Sequence, residues 1–151
     1  MPLYQEIRLR NHLTEIKRLA ETIEAFGETH GLPAPTIFKL TLVLDELVNN
    51  VIDYAFADDG EHEILILLGI VGDMVMAEVV DDGMPYDPTQ KPDPDTTLSI
   101  EERPVGGLGI FFAKRMMDRV EYQRNDGHNR LMLAKRIGLG DNTETAITER
   151  E

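Results

Sequence analysis

The stretch LDELVNNVIDYAF, beginning at Leu44, sets Asp45, Glu46, Asn49, Asn50 and Asp53 on a segment that otherwise reads as helix. Side chains three and four residues apart share a helix face, so Glu46, Asn49, Asn50 and Asp53 form one polar stripe. Leu40, Leu44, Leu47 and Val51 form an apolar stripe roughly opposite. An amphipathic helix turning its polar side to water accounts for much of this pattern. Two adjacent Asn in mid-helix are less ordinary, because Asn is a poor helix former that favours helix ends. One turn apart, Glu46 and Asn50 suit magnesium chemistry. An amide carbonyl binds the hard cation without adding negative charge, and a Glu can take a proton from water or a hydroxyl.

Two glycine-bearing turns carry further chemistry. In VVDDGMPYDP a predicted strand ends on Asp81, Asp82, Gly83 and Pro85. A plain turn explains the composition. A carboxylate such as Asp81, if it faces a pocket, accepts the exocyclic amine proton of adenine and discriminates against the carbonyl of guanine. In RPVGGLGIFF, Gly106, Gly107 and Gly109, with Leu108 among them, directly precede a helix. Glycines let backbone amides crowd a ligand, and a helix N-terminus favours anions. Arg103, just upstream, supplies a charged donor for phosphate. A loop-to-helix turn is the bland alternative. Neither the full G-x-G-x-x-G fingerprint nor a GK[ST] P-loop is present. The order is what adds weight: acidic amide helix, strand ending in Asp-x-Gly, long loop, Gly-x-Gly on a helix. Together these describe a nucleotide pocket.

The elements that must position these groups follow from periodicity. Tyr4 to Leu9 alternates as a strand, and Asn11 is a candidate cap for the helix that follows, which runs to about Thr29. Gly31 and Pro33 break it, and Pro35 suits the first turn of a second helix reaching about Ala57. Glu63 to Ile70 and Met74 to Val80 read as an antiparallel hairpin. Tyr86 to Val105, rich in Pro and acids, reads as a long surface loop of the length usual for a lid or binding loop. A helix from about Leu108 to Asp118 precedes a second hairpin, Val120 to Arg124 and Arg130 to Lys135, whose turn holds Asp126 and Gly127. Asn129 and Arg130 read as structural residues beside it. Helices covering one face of a largely antiparallel sheet give a two-layer α/β sandwich.

The 151 residues suffice for one domain with a core; residues 1–137 read as that domain and 138–151 as a frayed acidic tail. With 28 acids against 15 Lys and Arg, the formal net charge is -13, a field that repels phosphate backbones and argues against direct nucleic-acid binding. The absence of cysteine removes disulfides and thiolate metal sites. The N-terminal MPLYQEIRLRNHLTEIK is unlike a signal peptide, and the longest apolar run, Ile64 to Val71, is too short for a bilayer. These features fit a cytoplasmic protein without membrane contact.

DELVNNVIDYAF, VVDDGMPYDP and GGLGIFFAKRMMDRVEYQRNDGHNRLML together resemble bacterial anti-sigma factor serine/threonine kinases, which share the ATP-binding fold of histidine kinases, gyrase, Hsp90 and MutL. The likeness spans about Ile7 to Lys135. It implies a Bergerat-type fold: a mixed, mostly antiparallel sheet covered on one face by helices. It further implies ATP and Mg²⁺ as cofactors, Glu46 as general base and Asn50 as magnesium ligand. Asp81 and Gly83 match the adenine site, Gly106, Gly107, Leu108 and Gly109 the phosphate loop, and Arg103 an arginine contacting the γ-phosphate. Tyr86 to Val105 matches a short ATP lid. Such proteins phosphorylate a serine on a small anti-anti-sigma (STAS-type) protein, bind a sigma factor and often form homodimers. Two departures stand out: Tyr54 where the family often has histidine, and Pro85 where the wider superfamily has a second turn glycine. A second reading keeps the pocket without the transfer: a nucleotide-binding module that sequesters a signalling partner.

Overall fold

The computed structural model describes residues 4–58, 60–90 and 108–138. Five strands form one sheet: β1 (Tyr4–Arg10), β2 (Glu63–Val71), β3 (Met74–Asp81), β4 (Arg119–Asn125) and β5 (His128–Arg136). Their spatial order is β1-β2-β3-β5-β4, and every described pairing is antiparallel. Among the described residues three α-helices accompany it: α1 (Ile16–Thr29), α2 (Ala34–Tyr54) and α3 (Leu108–Met116). This is the two-layer α/β sandwich expected from periodicity, with no parallel pair among the described strands.

The sheet registers because each strand alternates. Ile64, Ile66 and Leu68 of β2, Val75, Ala77 and Val79 of β3, and Leu131 and Leu133 of β5 are buried. They meet Leu19, Ile23 and Phe26 of α1, Leu40, Val43, Leu44, Leu47 and Val48 of α2, and Ile110 and Ala113 of α3 in one core. A one-residue slip of any of these strands would turn its apolar set to the other face. At the β4–β5 turn, Asp126 and Gly127 both take positive φ (51° and 77°), the conformation that a two-residue hairpin demands. Pro35 lies within the first turn of α2, as expected, and Pro33 is its N-cap.

Two local expectations need correction. Asn11 caps no helix. Its Oδ1 accepts the His62 N–H at 3.0 Å and its Nδ2 donates to the Gly60 carbonyl at 3.1 Å. It therefore ties the end of β1 to the turn that launches β2; the chain enters α1 instead through a short 3₁₀ turn at Leu13–Glu15. And α2 stops at Tyr54, short of Ala57, because its end docks against another turn. The Ala55 carbonyl accepts the Met84 N–H at 2.9 Å, joining α2 to the segment after β3.

Of the long loop, residues 86–90 are described. They include a 3₁₀ turn at Pro88–Gln90, where Asp87 Oδ1 accepts the Thr89 N–H at 2.9 Å and Lys114 of α3 donates to the Thr89 carbonyl at 2.9 Å. The rest of the loop and the tail beyond Gly138 lie outside the described residues. No described helix is long and apolar enough to cross a membrane.

Candidate functional site: a cavity between α2 and the sheet

The boundary between the polar and apolar sides of α2 forms one wall of a cavity of about 450 Å³. Leu47, Asn50, Val51 and Tyr54 line that wall; Val79 and Asp81 of β3, Leu131 of β5 and Ile110 of α3 line the others. The volume falls in the usual range for small-ligand sites, and the mixture of apolar walls with a few convergent polar groups is their usual chemistry.

Asp81, at the end of β3, is 5% exposed. Its Oδ1 accepts the Gly83 N–H at 2.8 Å and the Asn129 side-chain amide at 3.0 Å. Gly83 permits the turn to press onto the end of α2: a Cβ there would lie 2.5 Å from the Ala55 carbonyl oxygen, a distance no side chain tolerates. Arg124 of β4 donates to the Gly83 carbonyl at 2.8 Å. The turn is held from three sides.

At the other end, α3 begins against α2. A Cβ built on Gly109 would lie 3.1 Å from both Asn50 Nδ2 and Glu46 Cβ. Glu46, Asn50 and Gly109 therefore converge although Gly109 lies 59 positions beyond Asn50 in the chain. A side chain on residue 109 would oblige Asn50 or Glu46 to give by a few tenths of an ångström. Glu46 and Asn50 are half-buried. The predicted polar stripe divides here. Asn50 lines the cavity, whereas Asn49 turns back on its own helix, donating to the Asp45 carbonyl at 2.9 Å and to Asp45 Oδ1 at 3.3 Å. Burial pushes the Asp45 carboxyl above the usual range. Asp53 is exposed.

Arg103, Gly106 and Gly107 lie outside the described residues, and Leu108 opens α3. Tyr54 is no packed core aromatic: it lines the cavity and is 53% exposed, as are Met84 (50%) and Tyr86 (56%) at the same rim. Asn129, read from sequence as structural, turns out to be a cavity residue that bonds Asp81. The alternation Asn129, Leu131, Leu133 on β5 was the available signal, since it puts Asn129 on the core-facing side.

The donor set fits a magnesium nucleotide. A buried carboxylate closes one end, apolar side chains wall the middle, and Asn50 lines the other; Glu46, one turn before it, lies against the start of α3 but is not among the lining residues. No cluster of three His, Cys, Asp or Glu among the described residues suits a metal. A magnesium ion carried on phosphates needs no such cluster, because it keeps waters and takes one or two protein ligands.

A family model of the histidine kinase-like ATPase domain matches residues 9–135. The chain belongs to this family. It is 35% identical over 96 residues to the serine/threonine-protein kinase BtrW of Bordetella bronchiseptica, covering 64% of this chain and 68% of that one. It is 26% identical over 110 residues to the serine-protein kinase RsbW of Bacillus velezensis, covering 70% and 69%. Among solved structures, the RsbU and RsbW domains of a Mycobacterium tuberculosis protein superpose with a TM-score of 0.65 at 16% identity, over 89% of this chain and 32% of that one. The histidine kinase domain of a blue-light activated histidine kinase from Erythrobacter litoralis gives 0.55 at 15%, over 90% and 64%. The chain thus spans about a third and under two thirds of those two structures. They show the shared fold, and the resemblance drawn from the three motifs is borne out at the level of family and fold.

Proposed function

We propose that this chain is an ATP-dependent protein-serine kinase and anti-sigma factor that phosphorylates a small anti-anti-sigma protein. One observation carries the reading: Glu46 and Asn50 meet the start of α3 at Gly109, at the opposite end of the site from the buried Asp81. A site so arranged can read a base at one end and handle phosphates at the other. Its kinship with chains named serine-protein kinase supplies the reaction class.

The roles follow from side-chain chemistry. Asp81 accepts the exocyclic amine of adenine, and Val79, Val51 and Leu131 sandwich the ring. By family likeness the stretch Gly106, Gly107, Leu108 and Gly109, with Arg103, would receive the phosphates. Asn50 would hold a magnesium ion, which when bound would supply neutralisation of charge on the transferred phosphoryl group. Glu46 accepts the proton of the substrate serine hydroxyl as that oxygen bonds to the γ-phosphorus and the bond to the ADP leaving group breaks. Tyr86 to Val105 would close over the nucleotide. The sigma factor and the STAS-type protein are partners by family likeness, as are homodimerisation and a cytoplasmic setting.

Tyr54 favours a second reading, a module that binds nucleotide and sequesters its partner without turnover, because it replaces a histidine common in the family and faces the cavity. One experiment separates the two. Partners are captured on the wild-type chain from its native cell with and without Mg-ATP, and label transfer from γ-labelled ATP to the captured protein is measured. Transfer to serine, abolished by Glu46→Gln with nucleotide binding retained, supports the kinase. Capture gated by nucleotide but without transfer supports the module. Equal transfer by Glu46→Gln overturns the base assignment.

A further inference from the structure

We propose that Asn129 is a positioning residue for base selectivity, which orients Asp81 and ties it to the chain leaving the Asp81 turn. The inference rests on the adenine reading of the site and deepens it. Asn129 is 7% exposed and opposes Asp81 directly in the β3–β5 register. Its side chain makes four hydrogen bonds. Nδ2 donates to Asp81 Oδ1 at 3.0 Å and to the Met84 carbonyl at 2.8 Å. Oδ1 accepts the Tyr122 hydroxyl at 2.5 Å and the Tyr86 N–H at 3.3 Å.

A primary amide has two donors and one oxygen with two lone pairs, so this set fills its capacity. Flipping the amide would face its oxygen toward the Asp81 carboxylate and the Met84 carbonyl, and its NH₂ toward the Tyr86 N–H. Only one orientation is compatible with the surroundings. That orientation fixes the carboxylate too. With Oδ1 held by Asn129 and by the Gly83 N–H, rotating Asp81 would break two bonds in a buried site. Both described bonds fall on Oδ1, which leaves Oδ2 to meet the ligand. A carboxylate fixed this way accepts from an amine and repels a carbonyl oxygen. Discrimination of this kind depends on a buried polar group that cannot turn aside.

The same amide reaches Met84 and Tyr86 on the chain leaving the Asp81 turn. Met84 also bonds the end of α2 through Ala55. Asn129 thus links the group that reads the base to Met84 and Tyr86, which line the same cavity. A role in folding alone would predict loss of stability with unchanged preference among bound bases.

The test is calorimetric titration of the full chain with Mg-ADP and Mg-GDP. The variants are Asn129→Asp, nearly isosteric but setting a carboxylate against Asp81, and Asn129→Ser, smaller but able to donate to it. Circular dichroism melts report folding. The wild type is expected to prefer ADP. Asn129→Asp should lower the ratio of ADP to GDP affinity by about tenfold or more, and Asn129→Ser by less. A folded variant of either kind that keeps the wild-type ratio, with the wild type preferring ADP, overturns the proposal and leaves the nucleotide reading standing. A wild type that binds neither nucleotide, or both equally, overturns the adenine reading and this inference with it.

Discussion

At the Asp81 end of the cavity, Asp81, Asn129, Tyr122 and Arg124 all have side-chain hydrogen bonds within the protein. At the Glu46–Asn50 end, neither side chain has a hydrogen-bond partner among the described residues. At the first end the two polar groups facing the cavity, Asp81 and Asn129, are buried and hydrogen-bonded by the fold. At the second end Glu46 and Asn50 are half-buried, and their side chains carry no hydrogen bond to a described residue. Recognition of a rigid base gains from groups locked before binding, since binding then costs little reordering. A site that receives a charged, moving phosphoryl group needs donors and a base whose valences are still open.

The largest test of this contrast is Glu46→Gln. It keeps size and hydrogen bonding but removes the proton acceptor. Serine phosphorylation should fall by roughly 10²- to 10⁴-fold, with Mg-ADP affinity changed by only a few-fold, as measured by label transfer and calorimetry. The two glycines then separate the ends further. Gly109→Ala puts a methyl 3.1 Å from Asn50 Nδ2 and Glu46 Cβ, so those groups must shift. Misplacing them should slow transfer by roughly ten- to a hundredfold while leaving the melting temperature close to wild type. Gly83→Ala puts a methyl 2.5 Å from backbone at Ala55, which has no such freedom. It should cost about 1–3 kcal/mol, or more, of folding stability, seen as a lowered melting temperature. Should Gly109→Ala melt early and transfer normally, the contrast between the ends fails.

The smallest effect concerns pH. His62 sits beside the Asp81 end, its ring stacked on Phe56 at 4.1 Å. Nε2 lies 2.7 Å from Asp58 Oδ1 and Nδ1 lies 3.3 Å from Asp82 Oδ1. Both ring nitrogens face carboxylates, so only the imidazolium satisfies both. Its pKa is raised above 6.5, chiefly by the hydrogen bond to Asp58, and the Asp58 carboxyl is held below its usual value, chiefly by the bond to His62. A raised histidine pKa stabilises the folded state fully below the unfolded value and loses that stabilisation as pH rises through the folded one. A lowered carboxyl pKa acts at the other edge: its contribution is lost as pH falls through the depressed value. The melting-temperature difference between wild type and His62→Gln should therefore be greatest between roughly pH 4 and 6.5 and shrink above that. A difference that grows toward alkaline pH would contradict the pairing of charged His62 with Asp58 and Asp82.

What could be read in the sequence divides along the same line as the site. Glu46 and Asn50 lie four apart on one helix, and helical periodicity was enough to place them on one face. The strands and the Asp126–Gly127 turn followed from alternation and turn chemistry. Asn129 was harder, because its meaning comes from pairing with a residue 48 positions away, which no local pattern states. The end of α2 was misplaced for the same reason: the Met84 N–H, not a stop signal in FADDG, fixes where the helix docks. Asn11 has the composition of a cap, and its side chain found partners across the sheet instead. Local chemistry was legible, and long-range hydrogen bonding was not.

Calorimetric titration of wild-type and Asp81→Asn chains with Mg-ADP tests the central claim most directly. The account predicts one nucleotide per chain for wild type, and a loss of roughly ten- to a hundredfold in affinity for the variant, the worth of a hydrogen bond to a charged group. A wild-type chain that gives no binding heat, or a folded variant that binds as tightly as wild type, would contradict it.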